Sequence, residues 1–421
     1  MGERVARAHG VPVPIGLAWP SADSEVAPTV VSSRGLIFPS TDPQAFQLRC
    51  STAYGALELD RPRVFFEPAE GRIVIANWNG VQSSADRGCS WQRSAGLPEQ
   101  DLLATAQHPR EPARLLASTS AALGVTTGLW ASGDGGLRWS KLADNEPDER
   151  FESLVFAPSS SQRLFAGGQR YDTDKRTVVW LFAHSSDGGN RWVRRETATR
   201  LTPLFVDPED ANIVYASEAI DAAQTTFRLL RSQDGGEHFE SVAGELAAIT
   251  AHAFNQTDRK LWLGTESGLY LAENGESSFR QVHPSLVDIP CLAYQRNELW
   301  ICAQTDAGDL GVWISGSDDS TLERFLAFDQ VTGTVACTEE GEEVCTLADR
   351  EWEVDLSLWG QQEAGDAGAS DAGASDASSD QPAASGCGIM TAEESSSPLP
   401  LLAAWLLGAR LLFVRLFSRF G

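Results

Sequence analysis

Short apolar runs separated by glycine, proline, aspartate and asparagine fill the chain from about residue 30 to residue 358, and they come in ordered sets. A first run (SLVFAP from Ser153, TPLFVDP from Thr202, ITAHAFN from Ile249, IPCLAY from Ile289) is followed by a second (RLFAGG, NIVYASE, KLWLGT, ELWICAQ) and a variable loop. A third run then leads into a polar turn (GLWASGD, VVWLFAHSSD, FRLLRSQD, GLYLAEN), and a short fourth leaves after an aromatic residue. Runs of this length, rich in Val, Ile, Leu, Phe and Trp and bounded by turn formers, predict β-strands. Before the extreme C-terminus no segment sustains a helical period. The pattern predicts an all-β protein with four-stranded units near 62–95, 100–142, 151–195, 202–243, 247–283 and 287–326.

The polar turn between the third and fourth runs is itself a repeat. Ser84, Asp86, Gly88 and Trp91 share their spacing with Ser132, Asp134, Gly136 and Trp139, with Ser185, Asp187, Gly189 and Trp192, and with Ser232, Asp234, Gly236 and Phe239. A weaker copy has Asn274 and Phe279, and a sixth survives as a polar turn before Phe325. Successive copies are 40 to 53 residues apart, the period of a four-stranded blade rather than of a helical hairpin. An aspartate in such a turn accepts backbone N–H bonds, the glycines supply positive φ, and the aromatic buries between sheets. A structural role thus accounts for every member of the motif, with no need for catalysis or calcium.

This Ser-x-Asp-x-Gly-x-x-Trp pattern resembles the Asp-box, or BNR, repeat of the β-propellers found in sialidases, sortilin-like receptors and some glucanases. The resemblance implies one propeller over residues 30–358. Two fragments outside the six units, around residues 34–57 and 328–359, are incomplete alone and together would supply a seventh blade. Seven blades are expected, with eight imperfect blades as the alternative. Closure would remove exposed sheet edges.

Composition narrows the partners. A net charge of −25 excludes a nucleic-acid-binding surface and disfavours anionic lipid head groups. Six of the seven cysteines fall in the propeller. Local spacing suggests the pairs Cys337–Cys345 and Cys291–Cys302, which leaves Cys50 with Cys89 to join the N-terminal fragment to the first full blade, hence an oxidising compartment. No spacing fits a zinc site, and no motif calls for a cofactor.

After Trp359 the chain becomes an Ala/Gly/Ser/Asp-rich run over 359–397, expected to be a disordered linker, followed over 398–421 by an apolar helix interrupted by Arg410 and Arg415. Linker, Cys387 within GCGIM, apolar segment and arginines resemble the MYXO-CTERM sorting signal of myxobacterial surface proteins. That implies export, processing near Cys387 by a sorting protease, and attachment to the membrane through the tail. Residues 1–29 are expected to hold an N-terminal segment that reads as a degenerate export signal, in which Arg4 and Arg7 precede a proline-broken apolar patch.

The sialidase-like resemblance also invites a search for catalytic residues. There is no Arg-Ile-Pro motif, and Tyr54, Tyr171, Tyr215, Tyr270 and Tyr294 fall in strands or loops where no sequence motif pairs them with a catalytic glutamate, so no catalytic residue is assigned. Loops between second and third strands are the places for a ligand. The longest polar one carries Arg170, Tyr171, Asp172 and Asp174, and another presents Trp78. The reading is a surface-anchored propeller that binds or scaffolds through an unknown glycan or protein ligand. A glycoside hydrolase of sialidase or glucanase type, and an assembly factor for a membrane complex, are the alternatives.

Overall fold

In the computed structural model of the chain, each set of runs forms an antiparallel sheet, and seven sheets close into a β-propeller. The structure describes residues 12–337 apart from 21–25, 41, 43–44, 56–62, 68–70, 78–79, 99–101, 120–127, 145–147, 222, 274–277 and 317–320. Trp78, Cys345, Cys387, the linker and the C-terminal apolar segment lie outside the described residues.

Blade I comprises Pro14–Ala18, Thr29–Ser32, Gly35–Pro39 and Phe46–Cys50; blade II, Arg63–Glu67, Arg72–Asn77, Gly80–Ser84 and Gln92–Arg93. Blade III comprises Leu102–Gln107, Leu115–Thr119, Gly128–Ser132 and Ser140–Asp144; blade IV, Glu149–Ala157, Ser160–Asp172, Thr177–Ser185 and Val193–Thr197. Blade V comprises Leu201–Val206, Val214–Ala219, Phe227–Ser232 and Glu240–Leu246. Blade VI has Ile249–Asn255, Lys260–Thr265, Gly268–Ala272 and Arg280–Val282, and blade VII has Leu286–Gln295, Glu298–Thr305, Leu310–Ser315 and Leu322–Ala327. In every blade the strands pair in chain order.

The core is divided among the wedges between blades. Seven apolar clusters fill them, one at each boundary, from Val74, Val81 and Leu115 between II and III to Val30, Phe46 and Trp300 between VII and I. Alternation along each strand sends neighbouring residues into different wedges: in blade IV, Leu164 and Ala166 face blade III whereas Phe165 faces blade V. Apolar faces on both sides explain why these strands read as continuous hydrophobic runs.

The repeated turn has one geometry in its four full copies. The serine Oγ donates to the aspartate Oδ1 at 2.7, 2.8, 2.9 and 2.8 Å, and accepts the N–H of the following glycine at 2.7, 2.9, 2.9 and 2.8 Å. The same Oδ1 accepts the N–H four residues on, from Ser90, Arg138, Arg191 and His238. Gly88, Gly136, Gly189 and Gly236 take φ of 84°, 89°, 97° and 92°, a region that penalises a side chain. Each turn's aromatic enters the wedge shared with the preceding blade. Gly135, Gly188 and Gly235 donate N–H to Ala113, Gln162 and Asn212, so the turn docks on its own blade's first hairpin, at the same end of the blade. A second recurrent device sits in those hairpins. His108 Nδ1, Asp207 Oδ1 and Asn255 Oδ1 each accept the N–H groups two and three residues on.

Blade I departs from the expectation in two ways, and eight blades are not formed. The N-terminal fragment completes the blade with its own four strands, and Val331–Thr334 adds a fifth, parallel to Phe46–Cys50. The apolar patch assigned to the N-terminal segment is the first strand, Pro14–Ala18. Its proline stands at the strand's first residue, where it is tolerated. The domain boundary expected at residues 29–30 therefore falls within blade I.

The disulfides are corrected accordingly. Cys291 and Cys302 are bonded, directly opposite in register, with Cα atoms 5.0 Å apart. Cys89, however, is bonded to Cys337, at a Cα separation of 5.4 Å, so neither Cys50–Cys89 nor Cys337–Cys345 forms. The cause is strand alternation. Arg49 faces blade II and donates from Nε to Gly88 O at 2.6 Å. Cys50 shares the other face with Phe46 and Leu48. The parallel fifth strand meanwhile delivers Cys337 to the blade II turn. Cys50 is disulfide-bonded to a partner outside the described residues.

Candidate functional site

Blade IV differs from its neighbours at the end opposite the repeated turns. Its second strand has 13 residues and its third has 9, against 5 for the corresponding strands of blade III and 6 for those of blade V. Three to four extra residues at about 3.4 Å each extend this hairpin by roughly 10–14 Å. Gly167 and Gly168 make its base possible: a Cβ on Gly168 would stand 2.1 Å from Arg150 O, and one on Gly167 would stand 2.5 Å from Leu201 O.

Along the extended part of the hairpin lies a cavity of about 550 Å³ lined by Asp148, Glu149, Arg170–Asp174, Leu181, Arg194 and Glu196. Register explains the grouping. Glu149 lies opposite Arg170, Gly168 opposite Leu181, Leu181 opposite Glu196 and Ala183 opposite Arg194. Residues directly opposite share a face. This face turns toward blade III, as Leu164, Ala166 and Ala183 do lower down.

The charges are matched in pairs. Glu149 is fully buried and accepts from Arg194 Nε at 2.7 Å. Arg194 also donates from Nη1 to Trp192 O at 3.2 Å and lies over the Phe151 ring. Nearer the rim, Arg170 Nη2 bonds Glu196 Oε1 at 2.6 Å. At the tip, Lys175 meets Asp172 at 3.1 Å. The Asp172 carboxyl is held below the usual carboxylate range, first by the backbone N–H of Lys175 and then by the lysine itself. Asp148 adopts φ 60°, and its carbonyl accepts the Tyr171 N–H at 3.2 Å. The guanidinium groups keep N–H donors beyond these bonds, so the cavity offers donors and carboxylate acceptors together.

Of the ligand-loop residues read from the sequence, Arg170, Tyr171, Asp172 and Asp174 come together here. Alternation gives the Tyr171 side chain the opposite face from Arg170 and Asp172, across from Val178. Sequence reading missed Asp148, Glu149, Leu181, Arg194 and Glu196. A signal existed in VRRET, where charged Arg194 and Glu196 alternate on the face that points into a wedge. Glu149 and Glu196 are each bonded to an arginine. Among the described residues no group of His, Cys, Asp and Glu is arranged to hold a metal ion.

No family model matches the chain, and no curated protein sequence matches it. Solved structures do. The chain is similar to the GH74 xyloglucanase from Xanthomonas campestris, at 16% identity over 76% of this chain and 55% of that one, with a TM-score of 0.52. It is also similar to an ancestral GH74 enzyme (17% identity, 60% of this chain and 36% of that one, TM-score 0.45) and to Saccharomyces cerevisiae Sqt1 (10%, 74% and 84%, 0.48). The chain thus matches about half or less of the length of the two GH74 proteins. At these identities the likeness is one of fold, the β-propeller.

Proposed function

We propose that this chain is an Asp-box propeller displayed at the cell envelope, acting as a binding module through the blade IV cavity, with a glycan or protein ligand. The observation that supports this most is the pairing of charges in the cavity. Arg194–Glu149 and Arg170–Glu196 form a fixed array of donors and acceptors suited to recognition. A glycoside hydrolase needs two carboxylates facing a scissile bond, and the cavity glutamates face arginines instead. The fold alone favours neither an enzyme nor an assembly factor.

Sorting through Cys387 and retention by the C-terminal segment belong to the same proposal, on the strength of the motif in the sequence. The purified full-length protein is screened on a glycan array and against extracted envelope proteins, beside Arg170→Ala. Binding that falls at least tenfold in Arg170→Ala is expected. Retained binding in that variant, or none to either class, overturns the assignment. Separately, Cys387→Ala is expected to change tail mass and surface retention, and unchanged values refute the sorting role.

A further inference from the structure

The chain after blade VII crosses the outside of blade I. Phe328 and Val331 are buried against Phe46, Leu48 and Trp300 at the VII–I boundary. Val331–Thr334 then pairs parallel to Phe46–Leu48 through a short ladder broken by a register shift. Val335 donates its N–H to Leu48 O at 3.0 Å and packs with Leu36, Phe38 and Ile73 at the I–II boundary. Cys337 ends the crossing on Cys89 in the repeated turn of blade II. This strap is not needed to close the ring, because the first strand of blade I already meets the first strands of blades VII and II. Of residues 331–337 only Val331 and Val335 are buried, so beyond Val335 the strap is held to blade II chiefly through Cys337 and its bond to Cys89.

The two disulfides with both cysteines described differ in access. Cys291 and Cys302 are buried within blade VII, whereas Cys89 and Cys337 are half-buried at the rim. Thiol–disulfide exchange requires access to the attacked sulfur. Arg49 donates to the carbonyls of Gly88 and Cys89, which brings a positive charge to the turn that carries Cys89, and Asp86 offsets part of that charge.

We propose that Cys89–Cys337 is a thiol-releasable latch on this strap, opened by a dithiol reductant. A thiolate of the dithiol attacks Cys337 Sγ, the S–S bond breaks, and its electron pair leaves on Cys89 Sγ. The second thiol then displaces Cys337 from the mixed disulfide. The dithiol is oxidised to its disulfide and the protein gains two thiols. The strap's end is released from the blade II turn and its short ladder on Phe46–Leu48 loosens, while the seven blades remain closed. The Cys50 disulfide stays intact, as that sulfur lies on a fully packed face.

The full-length protein is treated with graded dithiothreitol, alkylated at each step and followed by mass spectrometry and amide hydrogen exchange. Cys89 and Cys337 are expected to alkylate at tenfold or more lower reductant than Cys291, Cys302 and Cys50. At that point amides of 331–337 exchange at least tenfold faster, with blades III–VI unchanged. Simultaneous reduction of all pairs, loss of protection around the whole ring, or a strap that stays protected until Cys50 reacts would each overturn the latch. Cys89→Ser with Cys337→Ser gives a reductant-free check: fast exchange at 331–337 on a folded ring supports the latch, and unaltered exchange refutes it.

Discussion

Replacing Ser232 by alanine tests whether the repeated turn is held together by its serine. Ser232 is fully buried. Its Oγ donates to Asp234 Oδ1 at 2.8 Å and accepts N–H groups from Gly236 at 2.8 Å and Asp234 at 3.3 Å. Alanine leaves the carboxylate served by the N–H groups of Glu237 and His238, so the loss falls on the buried Gly236 N–H. An unsatisfied buried donor costs about 1–3 kcal/mol, and the lost hydroxyl–carboxylate bond adds roughly 1 kcal/mol, giving about 2–4 kcal/mol in all. Unfolding entropy of about 2 cal/mol/K per residue, over a propeller of roughly 320 residues, converts this to a fall in Tm of about 3–6 °C. Calorimetry and urea unfolding at neutral pH measure it. Ser185→Ala, in a separate turn, should act alike, and the double variant should show the sum. Tm changes below 1 °C in both single variants would refute the serine's structural role, as would lost binding with unchanged stability.

Acid unfolding should occur in two stages. His252 stacks on Phe205 at 4.8 Å, and burial followed by the Arg63 charge lowers its pKa to about 4. A histidine with a depressed folded pKa favours the folded state above its unfolded pKa of about 6.5; that contribution is lost as pH falls from there toward 4. The shift is worth about 3 kcal/mol at most and about 2 kcal/mol after allowing for the ring's partial exposure. His252→Phe should flatten the stability profile between pH 6.5 and 4, and an unchanged slope in pH-dependent urea titrations counts against this. Below that window, carboxylates such as Asp187 and Asp234, lowered first by backbone N–H bonds from Arg191 and His238, supply stability present above pH 4 and lost as they protonate. Glu149→Gln should cost about 2–3 kcal/mol by leaving Arg194 without its carboxylate, with the loss seen as a lower urea midpoint. Asp174→Asn at the exposed tip should leave that midpoint in place while altering ligand binding.

The ring was legible because its information is local and repeated. Ser84, Asp86, Gly88 and their counterparts fix each turn within five residues, and apolar runs on either side mark the strands. Pro14–Ala18 was harder to place because only pairing with Thr29–Ser32 identifies it as a strand. Disulfide partners failed for a similar reason. Cys89 and Cys337 are 248 residues apart and meet only through a parallel strand that no local pattern announces. The cavity was half legible: its hairpin residues form one polar stretch, whereas Glu149, Arg194 and Glu196 reach it by register across other strands. SSADRGCSW shows the limit in miniature. It keeps the shared turn, yet Gly88 O accepts Arg49 instead of the indole N–H that Trp139 and Trp192 donate to their glycines, and Trp91 Nε1 is buried with no hydrogen-bond partner among the described residues.

Fold and site meet at Gly168. The residue lies opposite Phe151 on one side and Leu181 on the other, two positions below Arg170 and beside the strand that carries Glu149. An added Cβ would stand 2.1 Å from Arg150 O and 2.9 Å from Phe151 Cα, so alanine must push the first and second strands apart where the buried glutamate is held. No flexible side chain is available to yield. The expected cost is at least about 3 kcal/mol, on the scale of overpacked cores. Any folded fraction should also bind ligand more weakly, because Glu149 and Arg170 lose their shared register. Gly244→Ala is the control, since a Cβ there meets nothing within 4 Å and should change stability by less than about 0.5 kcal/mol. If Gly168→Ala matched that control in urea midpoint, the close approach of these strands would not be what builds the cavity.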